Sequence, residues 1–235
     1  MAWTRNVYHT INQSVSGTTV RRLIIAFVLF IIPVLLFAYI GRQVLQGDTT
    51  AIDTRILLGI YHRSSATLDT VVLTMTDLGS AIAVLAIGTG VVALYATRRR
   101  WRACAQIIAG IGGAGLLNII IKLLFERNRP NLWHHLVFES SYSFPSGHAM
   151  LSSALAFTIV ALAWHTKWRL PAIAGGALYM AGIAFTRLYL GVHYPTDIIA
   201  AWCVSLAWVV LVGIVLGAVV VPHTSHRAVD SKLKQ

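Results

Sequence analysis

Residues 23–40 read LIIAFVLFIIPVLLFAYI, Leu23 through Ile40, with Arg21-Arg22 before them and Gly41-Arg42 after. A charge-free run of this length can cross the ~30 Å hydrocarbon core of a bilayer as a helix. It is too long for the apolar region of a cleavable signal and lacks a clear small-residue cleavage site, so it reads as a signal anchor. Pro33 inside it is tolerable where neighbouring helices accommodate the break.

Five more apolar runs follow, at about Val71–Ala96, Ala103–Phe125, Pro145 or Ser146 to Trp164, Leu170–Thr186 and Asp197–Val221. With 57% of the 235 residues hydrophobic, 11% charged and a mean hydropathy of +0.70, the chain is excluded from the soluble globular class. The expected fold is all-α: an integral membrane bundle of six transmembrane helices over residues 23–221, with an N-terminal arm at 1–22 and a basic tail at 222–235. The arm, which carries Arg5, Arg21 and Arg22, is read as cytoplasmic and as a candidate surface-lying helix. Residues 41–69 are expected to be a connection of mixed charge. Asp77 falls in the outer part of the second run; an acid there is either functional or an interfacial helix end, and the polar neighbours Thr74, Thr76 and Ser80 favour the second. Glycines 110, 112, 113 and 115 predict close helix packing in the third run.

The formal charge of +11 does not indicate nucleic acid, because the cations lie in short loops between apolar runs rather than on one soluble face. They sort by side. Arg21-Arg22, Arg98-Arg99-Arg100 with Arg102, Lys167 with Arg169, and the tail's Arg227, Lys232 and Lys234 fall on one face, where Asp230 is the one acid. The positive-inside rule places that face, and both termini, in the cytoplasm. Cys104 and Cys203 have neither disulfide-framework nor metal-ligand spacing and are expected near opposite faces as small core residues.

Three polar segments then open on the outer face. Phe144-Pro145-Ser146-Gly147-His148 combines a proline suited to a first helical turn, a hydroxyl, a glycine whose N–H a ligand can approach, and an imidazole that can move a proton. Alone, the same tetrapeptide fits a helix start with a satisfied histidine. Its companions are Lys122 through Arg129-Pro130 and Thr186-Arg187 through His193 and Asp197. Lys122 alone could snorkel, and Arg127 or Arg129 could be ordinary loop charges. Together, Lys122, Arg129 and Arg187 converge on one mouth with few acids to neutralise them, which suits an anion and above all a phosphate. Ser146 and the Gly147 N–H would add contacts at the helix start.

His193 and Asp197 are spaced i, i+4, so a helix starting near Tyr194-Pro195 lets the carboxylate fix one ring nitrogen and leaves the other free to attack phosphorus. His148, from another helix, would protonate the leaving group and then activate water. A zinc site built from His148, His193 and Asp197 is the rival chemistry; three cations nearby would repel the metal.

These segments resemble the signature of the type 2 phosphatidic acid phosphatase family, lipid phosphate phosphatases that share an active-site design with vanadium haloperoxidases and glucose-6-phosphatase. The pattern K-x6-R-P matches Lys122 to Pro130, P-S-G-H matches 145–148, and S-R-x5-H-x3-D matches at Arg187, His193 and Asp197 with Thr186 in place of serine. Threonine keeps the hydroxyl. The resemblance covers about residues 70–220 and implies a six-helix phosphatase needing no metal or other cofactor, with His193 as nucleophile.

The expected function is hydrolysis of a lipid phosphate or pyrophosphate reached from the outer leaflet: undecaprenyl pyrophosphate, phosphatidylglycerophosphate or phosphatidate. Compact length and short loops suggest a bacterial inner-membrane enzyme facing the periplasm or exterior. A lipid-to-lipid phosphotransferase and a non-catalytic lipid phosphate binder or transporter are the alternatives. Binding alone would need the cations but not two histidines. Oligomeric state is not legible.

Overall fold

The computed structural model describes residues 17–217, all of whose regular structure is helical. Eight helices follow in order: α1 Gly17–Gln46, α2 Thr50–Tyr61, α3 Ala66–Asp77, α4 Ala81–Thr97, α5 Trp101–Phe125, α6 Gly147–Ala163, α7 Arg169–Tyr189 and α8 Pro195–Val215. The arm expected at 1–22 therefore ends inside α1, and its residues 1–16 lie outside the described residues, as does the tail at 222–235. The last run, expected to reach Val221, is helical to Val215 within the described part.

Each of the six apolar runs is helical, but two expectations change. The 41–69 connection is mostly helix: α1 carries on through Arg42 to Gln46, α2 fills 50–61, and α3 begins at Ala66. The second run, expected as one span, is two helices bent by 47° between Asp77 and Ala81. The break has a local cause. Ser80 leaves the helical region and caps α4 by accepting the Ala83 N–H at 3.2 Å, while the Tyr179 hydroxyl on α7 donates to the freed Leu78 carbonyl at 2.8 Å. Backbone groups released inside an apolar bundle must find such partners. Asp77 is exposed at the end of α3.

Helices α1, α5 and α8 are each long and apolar enough to cross a membrane, and α3 with α4 passes the same test as one bent span. Helix α6 is apolar but only 17 residues long, and α7 is 21 residues long but less apolar. Large hydrophobics face outward all along the bundle, Ile82, Leu124 and Leu178 among them, as lipid-facing positions require.

The 17-residue apolar helix α6 is the innermost. α6 packs against α5, α7 and α8, and its Ala149, Met150 and Ala154 form the main core with Ala114, Ala184, Ile198, Ala201 and Val209. Small residues let these backbones come close and leave hydroxyls satisfied in place; Ser205 on α8 donates to the Met150 carbonyl at 2.8 Å. α1 lies along α8, and α4 along α5. Cys104 and Cys203 are free and buried.

The chain order α5–α6–α7–α8 brings the C-terminus of α5, the N-terminus of α6, the C-terminus of α7 and the N-terminus of α8 to one end of the bundle. The sequence motifs sit on those four ends.

Gly113 shows how tightly α5 and α8 meet: a Cβ there would lie 2.3 Å from the Trp208 ring, whose Nε1 donates to the Ala109 carbonyl at 2.9 Å. Gly112, one residue away, faces open space. Gly113→Ala is expected to cost ~1–3 kcal/mol by overpacking and to lower the melting temperature in detergent by several degrees. Gly112→Ala is the control; with alanine the better helix former by roughly 1 kcal/mol, it should leave the midpoint unchanged or slightly raised. Equal melting temperatures for the two variants would contradict the packing described.

Candidate functional site

His193 stands between α7 and α8, on a segment whose direction is set by Gly191. That residue takes φ +69°, and a Cβ on it would press into the Trp133 ring at 2.5 Å. Trp133 in turn stacks on Tyr61 of α2 with centroids 4.4 Å apart. Pro195 opens α8, and the Asp197 carboxylate two residues on accepts the Tyr194 N–H at 2.9 Å, closing the first turn.

The expected histidine–carboxylate pair is present: His193 Nδ1 lies 3.3 Å from Asp197 Oδ2, and both side chains are buried. Oδ2 also accepts the Ser143 hydroxyl at 2.5 Å. The other ring nitrogen, Nε2, is 3.1 Å from Arg129 Nη1. A guanidinium can only donate, so this contact assigns the lone pair to Nε2 and the proton to Nδ1, facing the carboxylate. Burial drives the His193 pKa down to about 3, opposed by the Asp197 hydrogen bond and reinforced by Arg129. The ring is neutral at pH 7.

The three predicted cations do converge. Lys122 Nζ donates to Ser141 Oγ at 2.8 Å and to the Tyr142 carbonyl at 2.5 Å. Arg129 spans Ser141 O and Val192 O, both at 2.8 Å. Arg187, 1% exposed, donates from Nη1 to Thr76 Oγ1 at 2.8 Å and pairs through Nη2 with Glu139, while its buried Nε has no partner. Thr186, in the position where the motif has serine, turns its hydroxyl back onto the Ile183 carbonyl at 2.7 Å.

Ser146 is the N-cap of α6, accepting the Ala149 N–H at 3.4 Å, and Gly147 is the first helical residue, so its N–H is one of the donors a helix leaves unpaired. A Cβ on Gly147 would come within 3.2 Å of Asn118 Oδ1, whose amide donates to the Pro145 carbonyl at 3.1 Å. His148 is half-buried on the same first turn, in the combined field of Arg187, Glu139, Arg129 and Lys122.

The expectation of few neutralising acids is corrected. Glu139, in the loop before α6, bridges Arg187 and Arg129, the latter at 3.5 Å. Burial raises its pKa, but the two guanidiniums outweigh that and hold the carboxyl below its usual range, so it is ionised at neutral pH. Its loop position carries no periodic signal, which is why sequence reasoning passed over it. Ser143 shares that loop; Asn118 on α5 and Asp53 on α2 were passed over because nothing local marks a polar residue whose partners lie far along the chain.

Arg127, considered only as a loop charge from sequence, is mostly buried and forked between two acids. Nη1 reaches Asp197 Oδ1 at 2.5 Å and Thr196 Oγ1 at 2.8 Å; Nη2 reaches Asp53 Oδ2 at 2.8 Å and Thr49 Oγ1 at 3.1 Å. Among the described residues, no three His, Cys, Asp or Glu side chains converge as metal ligands.

A neutral, oriented imidazole beside a cluster of cations can attack an anion that the cations hold. Known proteins with related chains are named as phosphatases. Over 191 residues the chain is 32% identical to phosphatidylglycerophosphatase B of Bacillus subtilis, covering 76% of this chain and 88% of that one. It is 37% identical over 113 residues to decaprenylphosphoryl-5-phosphoribose phosphatase of Mycolicibacterium smegmatis, covering 47% and 57%. The crystal structure of a transmembrane PAP2 type phosphatidylglycerolphosphate phosphatase from Bacillus subtilis superposes with a TM-score of 0.73 at 25% identity, over 80% of this chain and 96% of that one. Residues 103–224, which hold Lys122, Arg129, His148, Arg187, His193 and Asp197, match the PAP2 superfamily, and the chain belongs to it.

Proposed function

We propose that this integral membrane phosphatase hydrolyses a lipid phosphate through a phosphohistidine on His193. The observation that carries the reading is the neutral His193 ring, fixed at Nδ1 by Asp197 with its Nε2 lone pair turned toward the guanidinium of Arg129. The phosphate would lie against Lys122, Arg129, Arg187, Ser146 and the Gly147 N–H. The Nε of Arg187, partnerless among the described residues, supplies one donor for it. No metal or other cofactor is required.

The steps balance with the protein's own groups. Nε2 of His193 attacks phosphorus, the bond from phosphorus to the leaving oxygen breaks, and His148 passes to that oxygen a proton that it takes from the bound acid phosphate. Water, losing a proton to the now neutral His148, then attacks the phosphohistidine; the P–N bond breaks and inorganic phosphate leaves. Asp197 holds the imidazolium side of both steps.

The proposed topology has six spans, counting α3 with α4 as one broken crossing and adding the shorter α6 and the less apolar α7, with the site at the outer end and both termini in the cytoplasm. Charge sorting supports this orientation, and a bacterial inner membrane with the site toward the periplasm is the setting proposed. Among lipids, phosphatidylglycerophosphate is the first candidate, since the Bacillus subtilis relative, which the chain matches over most of its length, is named for it. Undecaprenyl pyrophosphate, phosphatidate and transfer of the phosphoryl group to a second lipid are the other outcomes of the same assay.

Phosphate release from purified protein should persist in EDTA and be blocked by vanadate, which adopts the five-coordinate geometry of the transition state. His193→Ala should lose roughly 10³-fold or more of turnover and form no phosphoenzyme. His148→Ala should be slowest on phosphomonoesters, whose alkoxide leaves poorly, and less impaired on a pyrophosphate. Turnover abolished by EDTA and restored by a divalent ion, or a labelled phosphoenzyme trapped in His193→Ala, would overturn the mechanism.

Cysteines placed at exposed Asn131 and Arg99 test the orientation. A membrane-impermeant maleimide should label the first in intact cells and the second only after lysis; the reverse would put the chemistry in the cytoplasm.

A further inference from the structure

Asp53 lies on α2, outside residues 103–224, yet it is wholly buried against the start of α8. Its Oδ1 accepts the Thr196 N–H at 3.2 Å, and its Oδ2 accepts the Thr196 hydroxyl at 2.6 Å and Arg127 Nη2 at 2.8 Å. Arg127 lies over the Tyr194 ring, 4.0 Å from its centroid, and donates its other branch to Asp197. The residues on both sides of Pro195 are thus held by one guanidinium and one carboxylate contributed from elsewhere in the chain.

The oxygens of Asp197 have divided tasks. Oδ2 takes donors from Ser143, Tyr194 and His193, and Oδ1 takes Arg127. Without Arg127, Oδ1 would be a buried anionic oxygen lacking its charged donor, and the carboxylate would gain by turning to share the donors now on Oδ2. The His193 Nδ1 contact, at 3.3 Å the longest of the three on Oδ2, would be the first to suffer. A lysine could reach one acid but could not fork between two.

We propose that Arg127, braced by Asp53, is the positioning residue of this phosphatase: it locks the Asp197 carboxylate so that Oδ2 orients His193, and it makes α2 part of the catalytic apparatus. This rests on the reading of His193 as nucleophile. Arg127 is spent on Asp53, Asp197 and two threonines, whereas the anion cradle is Lys122, Arg129 and Arg187. Orientation of the nucleophile and affinity for phosphate are therefore separable.

The test uses the full chain in detergent, with phosphatidylglycerophosphate as substrate and inorganic phosphate as competitive inhibitor. Arg127→Gln should lower kcat by ~10²-fold, the scale of losing the orientation of a catalytic base, while KM and the phosphate inhibition constant stay within about threefold. Arg127→Lys should recover only part of the loss. Asp53→Asn, which leaves Arg127 on Asp197, should lose roughly tenfold. The double variant Asp53→Asn with Arg127→Gln should be no slower than Arg127→Gln alone, because Asp53 acts through the guanidinium. In ¹⁵N-histidine spectra the signal missing from His193→Ala should show one tautomer in the wild type and a mixture in Arg127→Gln.

Wild-type kcat in Arg127→Gln would overturn the proposal, as would parallel loss of kcat and phosphate affinity or additive losses in the double variant. If Arg127→Gln does not fold, Arg127→Lys and Asp53→Asn carry the same comparison of kcat with phosphate inhibition. His193→Ala is the separate control. Turnover retained there defeats the nucleophile assignment itself, whereas an inactive His193→Ala beside a fully active Arg127→Gln defeats only the positioning role.

Discussion

A carboxylate with no access to water, that of Asp197, has to find every hydrogen bond inside the protein, and the surrounding architecture follows from that requirement. Four groups meet it: the Ser143 hydroxyl, the Tyr194 N–H, the His193 ring and the Arg127 guanidinium. They arrive from the loop before α6, the turn before α8, and the segment after α5. Burying the acid therefore ties together segments far apart in the chain. Leaving such a charge unpaired would cost several kcal/mol, a large share of the stability of any domain. The cation brought in to compensate Asp197 is itself buried and has spare donors, which Asp53 and Thr49 absorb.

The same reasoning explains what could be read from the sequence and what could not. Apolar runs are continuous along the chain, so the helices of the six apolar runs were legible from length and composition, while α2, in the mixed-charge stretch 41–69, was not. Lys122 with Arg129-Pro130, Ser146-Gly147-His148, and Arg187 with His193 and Asp197 were legible because each group occupies a few adjacent positions at a helix end, where local geometry fixes the spacing. Asp53 and Glu139 obey no such local rule. Asp53 meets Arg127 from 74 positions away and Thr196 from 143, and one acid among Asp48, Asp53, Arg55 and Arg63 looks like its neighbours until the fold places it against α8. The bend at Ser80 was hidden for a related reason: a capping serine inside an apolar run is weak evidence until Tyr179 is found serving the Leu78 carbonyl.

Glu139 changes how the cation cluster is understood. Lys122, Arg129 and Arg187 are not bare charges waiting at a membrane boundary; each holds protein acceptors, and two of them share an ionised carboxylate. Arg187 could not otherwise be 1% exposed without heavy desolvation cost. A phosphate entering such a site exchanges one set of charge-assisted hydrogen bonds for another. The net gain is then set by what the phosphate satisfies that the protein leaves unsatisfied, and the Nε of Arg187 is the clearest such group.

Two functional demands are thereby met by two separate sets of cations. Apart from Thr76 and the Val192 carbonyl, Lys122, Arg129 and Arg187 contact carbonyls, a serine and a carboxylate of the loop at 139–142, partners that water or a ligand oxygen can replace, so this set is suited to accept and release an anion. Arg127 contacts two fully buried acids and the first turn of α8, partners that nothing mobile can replace, so this set is suited to remain fixed through turnover. Arg129 is the exception that joins them, since it alone also touches His193 Nε2. That contact occupies the lone pair assigned to attack phosphorus, and an anion arriving among the cations offers the guanidinium a charged acceptor in place of a neutral nitrogen. Because an anionic acceptor adds to the hydrogen bond a Coulombic attraction that a neutral nitrogen cannot offer, substrate binding itself favours turning Arg129 away from the ring and freeing the proposed nucleophile.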